Sequence, residues 1–285
     1  MLEPPAPRRA VELASRSYRA TYNALSDLGD QVSFYGRAAA WAPRAVHRYR
    51  KEILRLLAEV SMGRGAVALV AGTVGIIIFE TVSVGAVVGL VGFQGLRQIG
   101  ITSYVGFLSA YFNTREVAPL IAGNALIATV GAGFTAQLGA MRISEEIDAL
   151  EVMAIPSVPY LVTTRLIASL VAVVPLYVIA LLGSYLATQA VSVYFYGLTT
   201  GTYEHYFNLF LPPIDIFYSF LKVIIFTVMI SLICCYYGFH ATGGPAGVGV
   251  AVGRAVRLAI VVTVGADFLL SLALWGSTTT VRLAG

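Results

Sequence analysis

Long apolar runs separated by short polar segments dominate most of this chain. Three of them contain no charged residue, at 117–141, 166–203 and 223–253. A fourth run, 65–96, qualifies as well if Glu80 is tolerated inside it. Each run reaches the ~20 apolar residues that a helix needs to cross a bilayer. Because the runs are continuous rather than alternating, the pattern predicts an all-α multi-pass membrane protein and not a β-barrel.

We predict five spanning helices, near 66–92, 117–140, 161–194, 215–240 and 252–275. The segment 98–114 is apolar but short and contains Thr102, Ser103 and Tyr104, so we interpret it as a half-buried external connector. A sixth crossing there would leave two basic residues inside and five outside, against the tendency of basic residues to stay in the cytoplasm. Five crossings place the N-terminus in the cytoplasm and the C-terminus outside.

A short acidic helix, predicted over 143–154, interrupts the apolar runs. Ser144 is interpreted as its N-cap, and Pro156 and Pro159 end it. The helical period places its apolar and acidic residues on different faces: Ile143, Ile147, Leu150 and Ala154 on one, and Glu145, Glu146, Asp148 and Glu151 on the others. A charged helix cannot lie in hydrocarbon, so we expect it in the cytoplasm, shaped to dock onto a soluble partner.

Charge is sparse and unevenly distributed. Only 12% of the residues are charged, against about 25% in soluble domains, which excludes a water-soluble globule. Eleven of the 19 basic residues lie in the first 64 positions, where aromatic and aliphatic residues are interspersed. We therefore interpret 1–60 as a basic cytoplasmic tail with an interfacial helix that meets anionic lipid, in preference to nucleic acid, and 61–285 as a transmembrane domain. No cleavable signal is predicted, since no early apolar core is present.

Residue types that support catalysis are scarce. The two lysines, Lys51 and Lys222, do not lie in a phosphate-binding GxxxxGK[ST] loop. The adjacent Cys234 and Cys235 lack the spacing of a metal site and are expected in the core or against lipid. The chain has three histidines, His47, His205 and His240, and none of them lies in mid-span beside a plausible nucleophile. We expect neither an enzyme nor a metal site.

Ionisable residues within spans are costly and therefore mark candidate sites. Glu80, Arg115 and Glu116 are the candidates for a substrate cavity, with the Arg115–Glu116 pair at the outer mouth of the second span. For Lys222 and Asp267 we favour a structural role over contact with substrate. The lysine would snorkel toward the outer interface, and the aspartate would form a helix–helix contact.

Three segments resemble the MlaE/YrbE family, the permease subunits of MCE-associated ABC lipid transporters, and the tail is closer to the YrbE branch. They are Arg115-Glu116-Val117-Ala118-Pro119, the stretch 137–153 with its Ile-Asp-Ala-Leu-Glu-Val-Met string, and the stretch 254–270. The resemblance covers about 30–276. Thr129 and Gln137 stand where many relatives have an arginine and a glutamate, so no role of such a pair is carried over.

The resemblance implies that the acidic helix is a coupling helix against a cytoplasmic ABC ATPase, which would use ATP and magnesium while this chain binds no cofactor. The contacting residues would be Ile143, Ser144, Glu145, Glu146, Asp148, Leu150, Glu151 and Met153. It also implies a second permease subunit (a heterodimer is favoured), MCE proteins on the outer side, a lipid substrate and the bacterial inner membrane.

Two other functions stay open at this point. A stand-alone secondary transporter or channel would use Glu80 or Asp267 to carry protons. A membrane scaffold without transport would use the acidic helix only to recruit a partner.

Overall fold

Helices form nearly all of the computed structural model, which describes residues 26, 29–62 and 73–276. Five helices are long and apolar enough to cross a membrane, and we number them spans 1 to 5: Gly75–Gln98, Thr102–Ile143, Val158–Phe195, Pro213–Phe239 and Gly244–Trp275. Three further helices precede them, at 29–40, Ala42–Arg48 and Arg50–Met62. No strand occurs in these described ranges. The predicted all-α multi-pass fold with five spans is confirmed.

Two short helices lie in the connections between spans. Glu146–Val152 follows span 2, and Thr200–Leu209 follows span 3. Because consecutive spans are antiparallel, the first of these helices lies at one end of the bundle and the second at the other. We call these the acidic-helix end and the opposite end. The predicted start of the first span, near residue 66, and residues 1–25, 27 and 28 of the basic tail lie outside the described residues.

Span 2 begins well before its predicted start. The predicted connector 98–114 is helical from Thr102 onward and continues without a break into the rest of span 2. With 42 residues, the helix is about 63 Å long and extends beyond a hydrocarbon core of about 30 Å. Polar side chains in this early part bond to span 3, where the Asn113 amide donates to Thr188 Oγ1 at 2.9 Å. Such contacts stabilise a helix that composition alone marks as ambiguous.

Spans 2, 3 and 4 form the centre of the bundle. Tyr177, Phe226 and Leu138 are fully buried there, and so are both cysteines, Cys234 and Cys235. The cysteines therefore belong to the core and do not face lipid. Spans 1 and 5 lie at the periphery and expose apolar rows to their surroundings.

Small residues bring span 1 against span 3. A Cβ added at Gly85 would lie 2.7 Å from the backbone oxygen of Ser184, so only glycine permits this approach. The Thr188 hydroxyl donates to the Gly85 carbonyl at 2.8 Å across the same contact.

The N-terminal helices pack their apolar side on the bundle. Phe34 is buried against Tyr236 near the end of span 4, with ring centroids 5.5 Å apart. The Thr163 hydroxyl at the start of span 3 donates to the Ala38 carbonyl at 2.9 Å. The basic residues of these helices are exposed instead, and they are Arg37, Arg44, Arg48, Arg50, Lys51 and Arg55. This two-sided arrangement is the one an interfacial helix requires, and its contact with lipid stays a prediction.

Candidate functional site

Charged side chains from spans 2, 4 and 5 meet toward the opposite end of the bundle. Arg115 of span 2 is buried and forms an ion pair with Asp215 in the first turn of span 4. Its Nη2 lies 2.7 Å and its Nε 3.1 Å from the same carboxylate oxygen. The positive end of the span 4 dipole also favours a carboxylate at this position.

Two aromatic side chains complete the surroundings of Arg115. The guanidinium carbon lies 4.0 Å from the ring centroid of Tyr111 and 5.1 Å from that of Trp275, which is cation–π geometry. Trp275 Nε1 also donates to Asp215 Oδ1 at 2.8 Å. The residues of the chain itself therefore enclose this ion pair.

Lys222 forms the second half of the charged cluster. Its side chain is fully buried, and Nζ lies 2.7 Å from Asp267 Oδ1 of span 5 and 2.7 Å from the Arg115 carbonyl. The Ser271 hydroxyl accepts from Nζ at 2.8 Å and donates to Glu116 Oε1 at 2.7 Å. Glu116 Oε2 lies farther from the ammonium, at 3.4 Å.

The positions of these residues refine the predictions made from sequence. Arg115 is enclosed in an ion pair, whereas Glu116 is the half-exposed member of the cluster. The snorkelling alternative for Lys222 is wrong, because Asp267, Ser271 and the Arg115 carbonyl hold its ammonium inside the bundle. The helix–helix contact expected of Asp267 is present. Contact of Arg115 or Glu116 with substrate stays a prediction.

Sequence reasoning missed three members of the cluster: Asp215, Ser271 and Trp275. An acid just after Pro212 and Pro213 is a local signal for the first turn of a helix. Nothing local connects it with an arginine 100 residues earlier.

Glu80 does not belong to this cluster. It lies half-buried in span 1, and among the described residues none forms a hydrogen bond or an ion pair with its carboxylate. It stays a candidate for a site of its own.

An apolar groove of about 450 Å³ lies between span 1 and the early part of span 2. Its walls include Val87, Val91, Leu96, Leu108 and Phe112, and none of its lining residues is charged. The groove lies toward the same end of the bundle as the charged cluster. Its composition suits the acyl chain or ring system of a lipid.

The acidic helix is shorter than predicted and begins differently. It covers Glu146–Val152, and Ile143 is the last residue of span 2. The prediction of Ser144 as N-cap is wrong. Its hydroxyl donates to the Ala140 carbonyl at 3.0 Å, because span 2 continues up to it and it caps the C-terminus of that helix. Glu145 takes the N-cap position with a left-handed φ of 59°.

The two faces of this helix match the predicted pattern in its central turns. Ile147 is buried and Leu150 is half-buried against the core. The acidic side chains are exposed; among them, Asp148 pairs with Arg142 at 2.6 Å and Glu151 accepts from Ser157 at 2.6 Å. Met153 is 62% exposed. The helix is thus fixed to the bundle by its apolar side and presents acids and Met153 outward.

Thr129 and Gln137, the neutral residues noted in the sequence, form hydrogen bonds with different partners. The Thr129 hydroxyl donates to the Ala125 carbonyl at 2.6 Å. Gln137 Oε1 instead accepts from the buried Arg165 at 3.3 Å. Arg165 also donates to the Leu161 carbonyl at 2.9 Å. Thr129 and Gln137 therefore do not act as a pair.

Comparison with known proteins identifies the family. The sequence pattern of the family described as Permease MlaE matches residues 62–273, which is most of the chain. The chain belongs to the MlaE permease family. This family match agrees with the resemblance in the Arg115 segment and in the stretch 137–153, and it covers spans 1 to 4 and span 5 as far as residue 273.

Individual relatives of this MlaE-family permease come from bacteria and a plant. A probable ABC transporter permease protein of Rickettsia bellii is 31% identical over 66% of this chain and 72% of its own length. Protein TRIGALACTOSYLDIACYLGLYCEROL 1 of Arabidopsis thaliana is 30% identical over 70% of this chain, but the match spans only 57% of the plant protein. The intermembrane phospholipid transport system permease protein MlaE of Haemophilus influenzae is 25% identical over 71% of this chain and 78% of its own length.

Proposed function

We propose that this permease is the membrane-spanning subunit of an ATP-driven, ABC-type lipid transport system. The observation that carries the proposal is the acidic helix Glu146–Val152, which is fixed between spans 2 and 3 and directs its acids outward. The names of the Rickettsia and Haemophilus relatives, an ABC transporter permease and a phospholipid transport permease, support it.

Coupling to an ATPase follows from how the acidic helix is attached. Its buried Ile147 and the ion pair between Asp148 and Arg142 connect it to span 2, and span 3 begins six residues after it, at Val158. A force on the helix therefore reaches both spans. Since the sequence contains no phosphate-binding loop, ATP and magnesium are assigned to a partner ATPase that contacts the acids and Met153.

A hydrophobic substrate fits the groove between spans 1 and 2. Each CH₂ group transferred from water into such a groove contributes about 0.8 kcal/mol. A sugar or an amino acid would leave polar groups without partners against Val91, Leu96 and Phe112. The substrate class we propose is therefore a lipid, fatty acid or sterol.

The assembly and its orientation belong to the same proposal. The exposed apolar rows of spans 1 and 5 supply surface for a second permease subunit, with a heterodimer favoured. We place the acidic helix and the N-terminus in the bacterial cytoplasm, and the charged cluster and the C-terminus on the outer side of the inner membrane, where MCE proteins would bind.

Affinity purification of the full chain from its native membrane tests the proposal. The bound proteins and lipids would be identified by mass spectrometry. We expect an ABC ATPase, a second permease and MCE proteins, together with a co-purifying lipid. A chain that reproducibly purifies without an ATPase would contradict the proposal.

One observation favours a second candidate, a proton-coupled transporter that works alone. Glu80 lies in a span without a polar partner among the described residues, and a proton can neutralise such a carboxylate. This alternative predicts substrate movement driven by a pH gradient in liposomes that contain the chain but no ATPase.

A further inference from the structure

A polar cavity of about 490 Å³ opens toward the acidic-helix end of the bundle. It lies between the N-terminal helix 29–40, the end of span 4 and the start of span 5. Its polar lining residues are Gln31, Tyr236, Tyr237, His240, Thr242 and Arg254. The cavity is separate from the charged cluster and from the apolar groove, both of which lie toward the opposite end.

Arg254 is the cation of this cavity. Within the described residues, its guanidinium has no carboxylate within ion-pair distance and no hydrogen-bond partner, whereas Arg115 and Arg142 each pair with an aspartate. The part of the lining that the described residues form contains no aspartate or glutamate. The cavity therefore offers hydrogen-bond donors and one positive charge, a set that matches a phosphate group.

The position of Arg254 along span 5 places it at the level of lipid headgroups. It precedes Trp275 by 21 residues of continuous helix, a rise of about 31 Å. This rise equals the thickness of the hydrocarbon core, about 30 Å. Trp275 lies at the opposite end of the span, and tryptophan is enriched at membrane interfaces. With Trp275 at one interface, Arg254 reaches the other.

An apolar path leads from the cavity toward the middle of the membrane. Arg254 lines the cavity, and farther along the same span Val261 and Val264 are 69% and 52% exposed. An acyl chain that leaves a headgroup in the cavity can follow this exposed side of span 5. A free phosphate compound would make no use of it.

We propose that this cavity binds the headgroup of an anionic phospholipid from the leaflet at the acidic-helix end. The phosphate contacts Arg254, and headgroup hydroxyls reach Gln31, Tyr237 and Thr242. A choline or ethanolamine headgroup fits less well, because the described lining residues include no carboxylate to pair with its cation. The proposal requires only that the spans lie in a membrane, and it does not depend on ATP-driven transport.

Native mass spectrometry of the full chain in detergent tests this site. The chain is titrated with phosphatidylglycerol or with phosphatidylcholine of identical acyl chains. We expect the phosphatidylglycerol complex to be about tenfold tighter and Arg254→Gln to remove this preference, as expected for one charge-assisted contact. Arg254→Lys keeps the charge and should retain part of the preference. Equal binding of the two lipids to the unmodified chain would overturn the proposal.

Arg37→Gln is the matched control, since Arg37 is exposed on the N-terminal helix 29–40 and does not line the cavity. It should keep the preference for phosphatidylglycerol, and an equal loss in both variants would show nonspecific surface charge instead. Gln31→Leu changes the other wall without altering charge and should weaken binding severalfold. The circular dichroism spectrum and unfolding temperature establish that each variant is folded.

A competition experiment distinguishes a lipid from a soluble phosphate compound. sn-Glycerol 3-phosphate carries the same phosphate without acyl chains, and we expect it to displace phosphatidylglycerol only at concentrations at least a hundredfold higher. Displacement at equal concentrations would overturn the assignment to a lipid. Because none of these measurements uses ATP or transport, failure of the lipid site and failure of the transport proposal are distinguishable.

Discussion

The ammonium of Lys222 lies 2.7 Å from the carboxylate of Asp267, and this pair joins span 4 to span 5. The lysine side chain is fully buried, and that of the aspartate is 9% exposed. Removing one partner from a buried pair leaves a charge that neither water nor protein neutralises. The pair therefore restricts which arrangements of spans 4 and 5 are stable.

Lys222→Met should lower the free energy of unfolding by about 3–5 kcal/mol, because it leaves Asp267 buried without its cation. The double variant Lys222→Met/Asp267→Asn should regain much of that loss, since no charge of the pair remains. Thermal unfolding in detergent measures both. Lys51→Met, at an exposed lysine, is the control. A double variant no more stable than Lys222→Met alone would contradict coupling between the two residues.

Gly85→Ala should destabilise the contact between spans 1 and 3 by about 1–3 kcal/mol, because its Cβ would lie 2.7 Å from the Ser184 backbone oxygen. Gly253→Ala is the matched control in span 5, where a Cβ meets nothing within 4 Å. Unfolding temperatures of the two variants make the comparison. Similar stability for both would mean that spans 1 and 3 are not in close contact.

Charge reversal on the acidic helix should weaken binding of the partner ATPase. Glu145 and Glu146 are both exposed, so Glu145→Lys/Glu146→Lys alters the docking surface without breaking the Arg142–Asp148 pair. Co-purification of the ATPase with the tagged chain is the measurement. Glu204→Lys reverses an exposed acid at the opposite end of the bundle and should have no effect. Normal recovery of the ATPase with the double variant would exclude docking through these acids.

Ile147→Ala should loosen the acidic helix, because Ile147 is its buried anchor in the core. Truncating a buried isoleucine costs about 2–5 kcal/mol, and this cost is expected as local opening of 144–153. Hydrogen exchange of these amides should become faster than in the unmodified chain. Met153→Ala, at an exposed side chain, should leave the exchange unchanged. Unchanged protection in Ile147→Ala would show that the helix is held by other contacts.

Val91→Trp should reduce the amount of lipid that co-purifies with the chain, because an indole at this position occupies the groove between spans 1 and 2. Leu182→Trp places the same side chain on the exposed face of span 3, away from both the groove and the exposed side of span 5, and serves as the control. Quantitative lipid analysis after purification gives the result. Equal lipid recovery from both variants would remove the groove as the substrate site.

The sequence by itself determined the fold class, the number of spans and the place of the acidic helix. These features depend on runs of about 20 residues and on the helical period, both of which are local. The acidic helix was also recognisable because a cluster such as Glu145, Glu146 and Asp148 cannot enter hydrocarbon. The prediction from sequence was wrong where two local signals compete. Ser144 ends span 2, although serine is also a residue that commonly begins a helix.

Only the tertiary structure decided which buried charges meet. Arg115 pairs with an aspartate 100 residues later, and Lys222 points inward to Asp267 and not outward to the interface. Apolar periodicity does not fix the rotation of one span against another, since both lipid and protein interior accept the same apolar side chains. That rotation follows from close packing between spans, and it alone places distant charged groups within bonding distance.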